Sequence, residues 1–302
     1  MIERFVTTDD GTRLLATEIG KPRASPVVLC DGLACDGFIW RYLAPLLARE
    51  HRVIHWHYRG HGNSVVSWDH ANVGVRVFAR DLQRVLDTFD VPAAHIFGHS
   101  MGCQVALEFA LAVPQRARSL VLICGSYGRP LDTLHGNDLL YRAFPYLLRV
   151  VRKFPEGVQR FWTSAMGMDL VYSYAASREV AGHLIRRADF QPYFDHLARM
   201  DVRFFMRLLD DVREHSLEPQ LTNIHTRSLV IAGEKDTVTP MHLSERMAHL
   251  LPNAELLVVP DGSHVAPIEN RALIEQRVLR FLRHSRSGAT DESVRHPRGR
   301  AR

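Results

Sequence analysis

The stretch Gly98-His99-Ser100-Met101-Gly102 constrains this chain most. It sits where an apolar run of strand type, Ala94-His95-Ile96-Phe97, gives way to a helix-type run that includes Val105, Ala106, Leu107, Phe109 and Ala110. A strand that reverses into a helix within one residue forces that residue into strained φ/ψ. Side chains two before and two after it would collide, so both flanks must be glycine. Such a turn lifts a serine hydroxyl clear of the sheet and leaves it beside a helix N-terminus, where backbone N–H groups point outward. An acyl-transfer nucleophile needs that placement. Five residues of this pattern also arise by chance in ordinary turns, so the rest of the chain has to decide.

Around this stretch, strand and helix signals alternate. Residues 3–8 and 12–19 alternate about Asp10-Gly11, a hairpin signal. Pro26-Val27-Val28-Leu29-Cys30 is a continuous apolar run, as in a strand buried on both faces. A helix is predicted from about Phe38 to Ala48, a strand over 52–57, and a helix over 73–89 with Phe78, Leu82, Val85, Leu86 and Phe89 on one stripe. Another buried strand is predicted at 119–124. The alternation stops near Tyr127; helical patterns alone follow (138–153, 157–166, 170–187, 201–214). It resumes with a strand at 228–232, a helix at 241–250, a strand at 254–259 and a helix at 268–283. The expected class is α/β: a mostly parallel central sheet, helices on both faces, and an inserted all-helical cap. The expected division is a core of residues 1–126 and 217–284, a cap of 127–216, and a basic disordered tail of 285–302. The cap holds 14 of the 26 aromatic residues, enough to predict a predominantly apolar pocket beneath it.

The net charge of +5 raises the question of a nucleic-acid partner. Most of that charge lies in the last twenty residues, which carry six arginines against Asp291 and Glu292. The body is nearly neutral, so no basic face and no nucleic-acid partner are expected. The first twenty residues mix charged and apolar side chains, and no apolar run approaches the length of a membrane span. A soluble, cytoplasmic protein without membrane insertion is expected. Cys30, Cys35, Cys103 and Cys124 lack metal-binding spacing and read as reduced, buried small hydrophobes. His55, His57 and His61 lie close together, but no carboxylate or cysteine completes a metal set, and no metal or cofactor is expected.

A serine needs a base, and the base needs an orienting group. Past one predicted strand the chain reads Gly233-Glu234-Lys235-Asp236; past the next it reads Gly262-Ser263-His264. Sites in open α/β sheets form at the carboxyl ends of strands, so Ser100, Asp236 and His264 should converge on one edge. Asp236 alone also reads as a turn or N-cap aspartate. Asp132 is a reserve acid, and Glu234 stands closer to its strand.

These three motifs, in the order Ser…Asp…His, resemble those of the α/β-hydrolase fold superfamily, and the resemblance covers about residues 3–284. It implies Ser100 as nucleophile, His264 as base, Asp236 as orienting acid, and an oxyanion hole from the backbone N–H groups of Leu33 and Met101. It also marks two departures. Members usually carry His-Gly where this chain has Asp31-Gly32 ahead of Trp40, and aspartate where this chain has His57 ahead of Arg59-Gly60-His61-Gly62-Asn63-Ser64. Histidine and aspartate have exchanged places, and a hydrogen-bonded Asp31–His57 pair is expected across the two strands.

The function this supports is hydrolysis of a carboxylic ester or lactone of a small-to-medium hydrophobic substrate through an acyl-enzyme on Ser100. Carbon–carbon bond hydrolysis and cofactor-free perhydrolysis use the same three groups and stay open. So does a ligand-sensing protein of this fold without turnover. The motifs do not bear on oligomeric state.

Overall fold

The apolar runs become the middle of the sheet. A computed structural model describes residues 1–65, 72–132, 139–179 and 185–287. Its strands are β1 (Ile2–Thr7), β2 (Arg13–Gly20), β3 (Pro26–Cys30), β4 (Arg52–Trp56), β5 (Ala94–His99), β6 (Ala117–Ile123), β7 (Ser228–Gly233) and β8 (Ala254–Val259). They form one sheet in the order β1-β2-β4-β3-β5-β6-β7-β8. β1, β2 and β4 pair antiparallel, and β4 through β8 run parallel. β3 and β5 are buried along their whole length, which is why they lack an alternating pattern.

Successive residues of those strands feed opposite cores. Val28, Cys30 and Ile96 join one apolar cluster with α2 (Val75–Thr88) and α3 (Met101–Ala112). Val27, Leu29 and Phe97 join a second with α1 (Leu43–Leu47) and the C-terminal helix, Arg271–Ser287. The two-residue period of a strand thus sends adjacent side chains into different layers.

Between β6 and β7 the described chain is helical: α4 (Leu139–Lys153), α5 (Pro155–Met166), α6 (Asp169–Glu179), α7 (Arg187–Arg199) and α8 (Val202–Glu214). The insertion enters and leaves through a narrow neck. Gly128 and Ser216 form an antiparallel bridge. It is flanked by the Arg129 N–H donating to His215 O at 2.9 Å and the Leu217 N–H donating to Tyr127 O at 2.9 Å. After β7 come α9 (Met241–Leu250), β8, α10 (Ala266–Glu269) and α11, the helix Arg271–Ser287. No helix among the described residues is long and apolar enough to cross a membrane.

Several expectations shift. The helix expected over 38–48 is a 3₁₀ turn at Phe38–Trp40 followed by α1, because Phe38, Ile39 and Trp40 are all buried and one face of an α-helix cannot bury three consecutive side chains. The expected helix over 170–187 ends in α6, with residues 180–184 outside those described, and α7 was not foreseen. Pro192 lies inside α7 and reads as a breaker. The carbonyl it deprives of a partner, Ala188 O, instead accepts from Arg41 Nη1 at 3.0 Å. The last helix runs to Ser287, and residues 288–302 of the basic tail lie outside those described. All four cysteines are free and buried.

A buried ion pair fixes the segment after β4. Arg59, with a side chain 3 % exposed, donates from Nε and Nη2 to both oxygens of Asp81 on α2 at 2.7 and 2.8 Å. Its Nη1 reaches Asp10 and, at 3.2 Å, Thr12 Oγ1 in the first hairpin. Removing one partner of a buried pair strands the other charge. Arg59→Met, which leaves the buried Asp81 without its cation, is therefore expected to cost about 3–5 kcal/mol in urea unfolding, whereas Arg59→Met with Asp81→Leu retains most of the stability. Equal loss in the single and double variants would contradict this account.

Candidate active site

Ser100 joins β5 to α3 with φ 54° and ψ −121°, a conformation that non-glycine residues rarely hold. Both flanking glycines are required by contact. A Cβ on Gly98 would lie 2.4 Å from Gly102 O, and one on Gly102 would lie 2.2 Å from Cys30 O at the end of β3. The turn thus draws α3 against the neighbouring strand and raises the serine at the sheet's carboxyl edge.

The structure brings the three distant residues together there. Ser100 Oγ is 3.0 Å from His264 Nε2, and His264 Nδ1 is 2.9 Å from Asp236 Oδ2. A carboxylate only accepts, so Nδ1 carries the proton and Nε2 is left to accept from the serine hydroxyl. Asp236 is buried. It also accepts from the N–H groups of Val238 and Thr239 at 2.9 and 2.8 Å, and from Thr239 Oγ1 at 2.9 Å. The turn reading and the orienting reading of this aspartate therefore describe one side chain. Asp132 does not reach the histidine; it pairs with Arg129 at 2.9 Å. Glu234 accepts from the Asp261 N–H at 2.9 Å.

Leu33 and Met101 line the same cavity as Ser100 and His264. No described residue accepts from the Leu33 N–H. The loop that carries Leu33 includes Ala34 at φ 57°, held by its N–H donating to His61 Nε2 at 3.2 Å. His61 Nδ1 in turn donates to Arg59 O at 2.9 Å. The cavity measures about 210 Å³. Its walls are mostly apolar, and the helical insertion contributes Leu140, Phe190, Tyr193, Leu209 and Val212. Of the insertion's aromatics, Phe190 and Tyr193 face this cavity, whereas Phe144 and Phe204 are buried in the larger core.

The exchanged pair resolves differently from expectation. Asp31 is fully buried, but its partner is His55, whose Nε2 donates to Oδ2 at 2.9 Å; Trp40 Nε1 donates to Oδ1 at 2.7 Å. His57 is engaged by its own loop. Its Nδ1 accepts from the Asn63 N–H at 3.1 Å, and its ring lies where a Cβ on Gly62 would stand. Burial pushes the Asp31 carboxyl up and the His55 imidazole down, and their mutual attraction outweighs both effects, lowering Asp31 and raising His55. With these commitments, His55, His57 and His61 do not share a common ligand position.

Three supporting groups had no sequence signal beyond local composition: Thr239 on Asp236, His61 under the Ala34 loop, and His99. The His99 Nε2 donates to His264 O at 2.9 Å, while its Nδ1 is buried without a partner among the described residues. Only the Asp-x-x-Thr spacing of Asp236 and Thr239 hinted at the first, since it is a common turn motif.

A family model described as the alpha/beta hydrolase fold matches residues 25–271. A relative from Pseudomonas syringae pv. syringae (strain B728a), named "Putative carbamate hydrolase RutD", is 30% identical over 261 residues, covering 86% of this chain and 94% of that protein. Among solved structures, a hydrolase from Pseudomonas aeruginosa PA01 superposes with TM-score 0.75 at 24% identity, covering 93% of this chain and 98% of that one. The enol-lactonase from Burkholderia xenovorans LB400 superposes with TM-score 0.76 at 20% identity, covering 93% and 100%.

Two predictions follow from this geometry. Gly102→Ala should abolish cooperative thermal unfolding or cost more than about 3 kcal/mol, since backbone cannot move aside cheaply. Gly157→Ala in α5, where a Cβ meets open space, should instead be neutral or stabilising by up to about 1 kcal/mol. The second concerns pH. Burial lowers His61 to about 4; burial and neighbouring His55 lower His57 to about 4; burial and neighbouring His264 lower His99 to about 3. Between pH 6.5 and 4 the unfolded chain therefore binds more protons than the native one. Unfolding free energy should decrease as the pH is lowered through that window, by on the order of 1 kcal/mol per histidine per pH unit. The raised His55 opposes this near neutrality only. Urea titrations at stepped pH check it; a flat profile from pH 6.5 to 4 would contradict the buried neutral state.

Proposed function

This chain belongs to the alpha/beta hydrolase fold family, and we propose that within it the chain is a serine hydrolase that cleaves a carboxylic ester or lactone through an acyl-enzyme on Ser100. The observation that carries this reading is the unbroken hydrogen-bonded series Ser100–His264–Asp236 opening onto a mostly apolar cavity. In this reading the helices of 127–216 are a cap that shapes that cavity, on a core of 1–126 and 217–284.

The chemistry runs through atoms already in place. Ser100 Oγ attacks the carbonyl carbon as His264 Nε2 takes its proton, and Asp236 stabilises the imidazolium that forms. The negative charge that develops on the carbonyl oxygen is met by the Leu33 and Met101 N–H groups, which cost nothing to reorganise at the moment of reaction. The tetrahedral intermediate collapses as His264 returns the proton to the leaving alkoxide; in a lactone that alcohol stays tethered to the acyl group. Water activated by the same imidazole then releases the acid and restores Ser100. The apolar walls favour a hydrophobic acyl or cyclic substrate over a charged one.

Treatment with a fluorophosphonate should label the protein once per chain, and Ser100→Ala should abolish labelling. On a panel of p-nitrophenyl esters, lactones and a carbamate ester, Ser100→Ala or His264→Ala should lower kcat by about 10⁴–10⁶-fold, and Asp236→Asn by about 10⁴-fold. Wild-type protein that is neither labelled nor active on any panel member, while binding a panel compound tightly, would replace this reading with that of a ligand sensor.

A further inference from the structure

Gln104 stands one helical turn after Ser100 on α3 and lines the same cavity, although it is only 1 % exposed. A buried amide in such a wall needs partners, and its two ends are treated very differently. Its Nε2 is 3.1 Å from His215 Nδ1 and 3.5 Å from His215 O. His215 Nε2 lies 3.0 Å from Glu108 Oε2.

The direction of every proton in this chain can be worked out. The Glu108 carboxylate accepts, so His215 Nε2 donates; in the tautomer with its proton on Nε2, Nδ1 accepts from the Gln104 NH₂. The His215 carbonyl can only accept as well. Both acceptors of His215 hold the same end of the amide, so its orientation is set by the chemistry of its neighbours rather than chosen arbitrarily. The hydrogen bond from His215 holds the Glu108 carboxyl below its ordinary range, consistent with an ionised acceptor at the end of the series. Gln104 Oε1 is then the free end of the amide. No described residue donates to it, and it is not among the solvent-inaccessible polar atoms left without a partner. It is an acceptor in the wall of a cavity that Leu131, Leu209 and Val212 also line.

We propose that Gln104 Oε1, one helical turn along α3 from Ser100, is a specificity determinant of this cavity, selecting substrates that carry an N–H or O–H donor, such as a secondary amide or a hydroxyl, a few bonds from the carbonyl that Ser100 attacks. An apolar substrate covers that acceptor without pairing it, and a donor satisfies it. A site built to pair a substrate donor penalises the analogue that lacks one far more than an apolar wall distinguishes size. His215 and Glu108 act through Gln104 as positioning residues. The neck of the insertion supplies His215, so the cap's point of attachment also aims the amide. This inference rests on the reading of Ser100 as nucleophile.

The test compares matched substrates that differ only in the donor. These are p-nitrophenyl 3-acetamidopropanoate against its N-methyl counterpart, and p-nitrophenyl 3-hydroxybutanoate against p-nitrophenyl butanoate. Wild-type kcat/KM should favour the donor-bearing member of at least one pair by about tenfold or more. Gln104→Leu should bring that ratio close to one. His215→Leu, which keeps the glutamine but releases it, should lower the ratio part of the way. A ratio unchanged in Gln104→Leu, or near one in the wild type for both pairs, overturns the proposal while fluorophosphonate labelling of Ser100 stands. If the wild type turns over none of the four, calorimetric titration of Ser100→Ala with methyl 3-acetamidopropanoate and its N-methyl analogue reads the same preference as binding. Equal affinity there also overturns it.

Discussion

Ser100 holds a backbone conformation that is unfavourable in isolation, and the surrounding structure depends on that conformation being enforced. Enforcement comes from packing on both sides. β5 is buried on both faces, and the first turn of α3 lies so close to the end of β3 that the hydrogen of Gly102 occupies the space beside Cys30 O. This close approach fixes where α3 starts, and with it the positions of the Met101 N–H and the Gln104 amide. It also fixes the distance from the serine to the loops after β7 and β8, because parallel pairing carries register across β6 from strand to strand. A local strain of about 1–3 kcal/mol is outweighed by the burial of a helix and a central strand.

Buried charge is handled by one device throughout this edge. Asp31 has His55 and Trp40, Asp236 has His264 and Thr239, and Asp81 has Arg59. Each carboxylate receives several donors, which is what makes burial tolerable. The histidines among them divide into two groups. His55 and His264 face carboxylates, whereas His57, His61 and His99 face backbone groups and are held neutral. His61 shows why neutrality matters here: only an unprotonated Nε2 can accept the Ala34 N–H and hold the loop that carries Leu33.

The sequence made the sheet legible because its inner strands are long apolar runs and its hairpin has Asp10-Gly11 between alternating segments. The positions of Ser100, Asp236 and His264 were legible for a related reason: each follows a strand end, and strand ends are the easiest boundaries to see. Pairings that depend on rotamer and register were not. Asp31 was expected to pair with His57, but His55 stands two residues earlier on the same side of the predicted strand 52–57, and periodicity cannot separate the two. The contact of Gly62 with the His57 ring decides between them, and that is a tertiary contact. In the same way, α7 was hidden by Pro192, whose cost is met by Arg41, a residue 151 positions away in sequence. Gln104 and Glu108 lie one turn apart on α3, but His215 is more than a hundred residues away and nothing in the linear sequence marks it as their partner.

The bridge between Gly128 and Ser216 sets a boundary condition for the insertion. The two chain ends that enter and leave it are already pinned to each other by backbone hydrogen bonds, much as in a hairpin. The entropy of closing the loop is therefore met at the neck and grows only slowly with the length of whatever lies beyond. Seen from the sheet, residues 129–214 behave as a single long turn between β6 and β7. Lengthening, shortening or replacing that turn leaves strand register unaltered, so the walls the insertion lends to the cavity are set independently of the sheet edge that carries Ser100. His215 belongs to both: to the neck by its backbone, and by its side chain to Gln104 in the cavity wall.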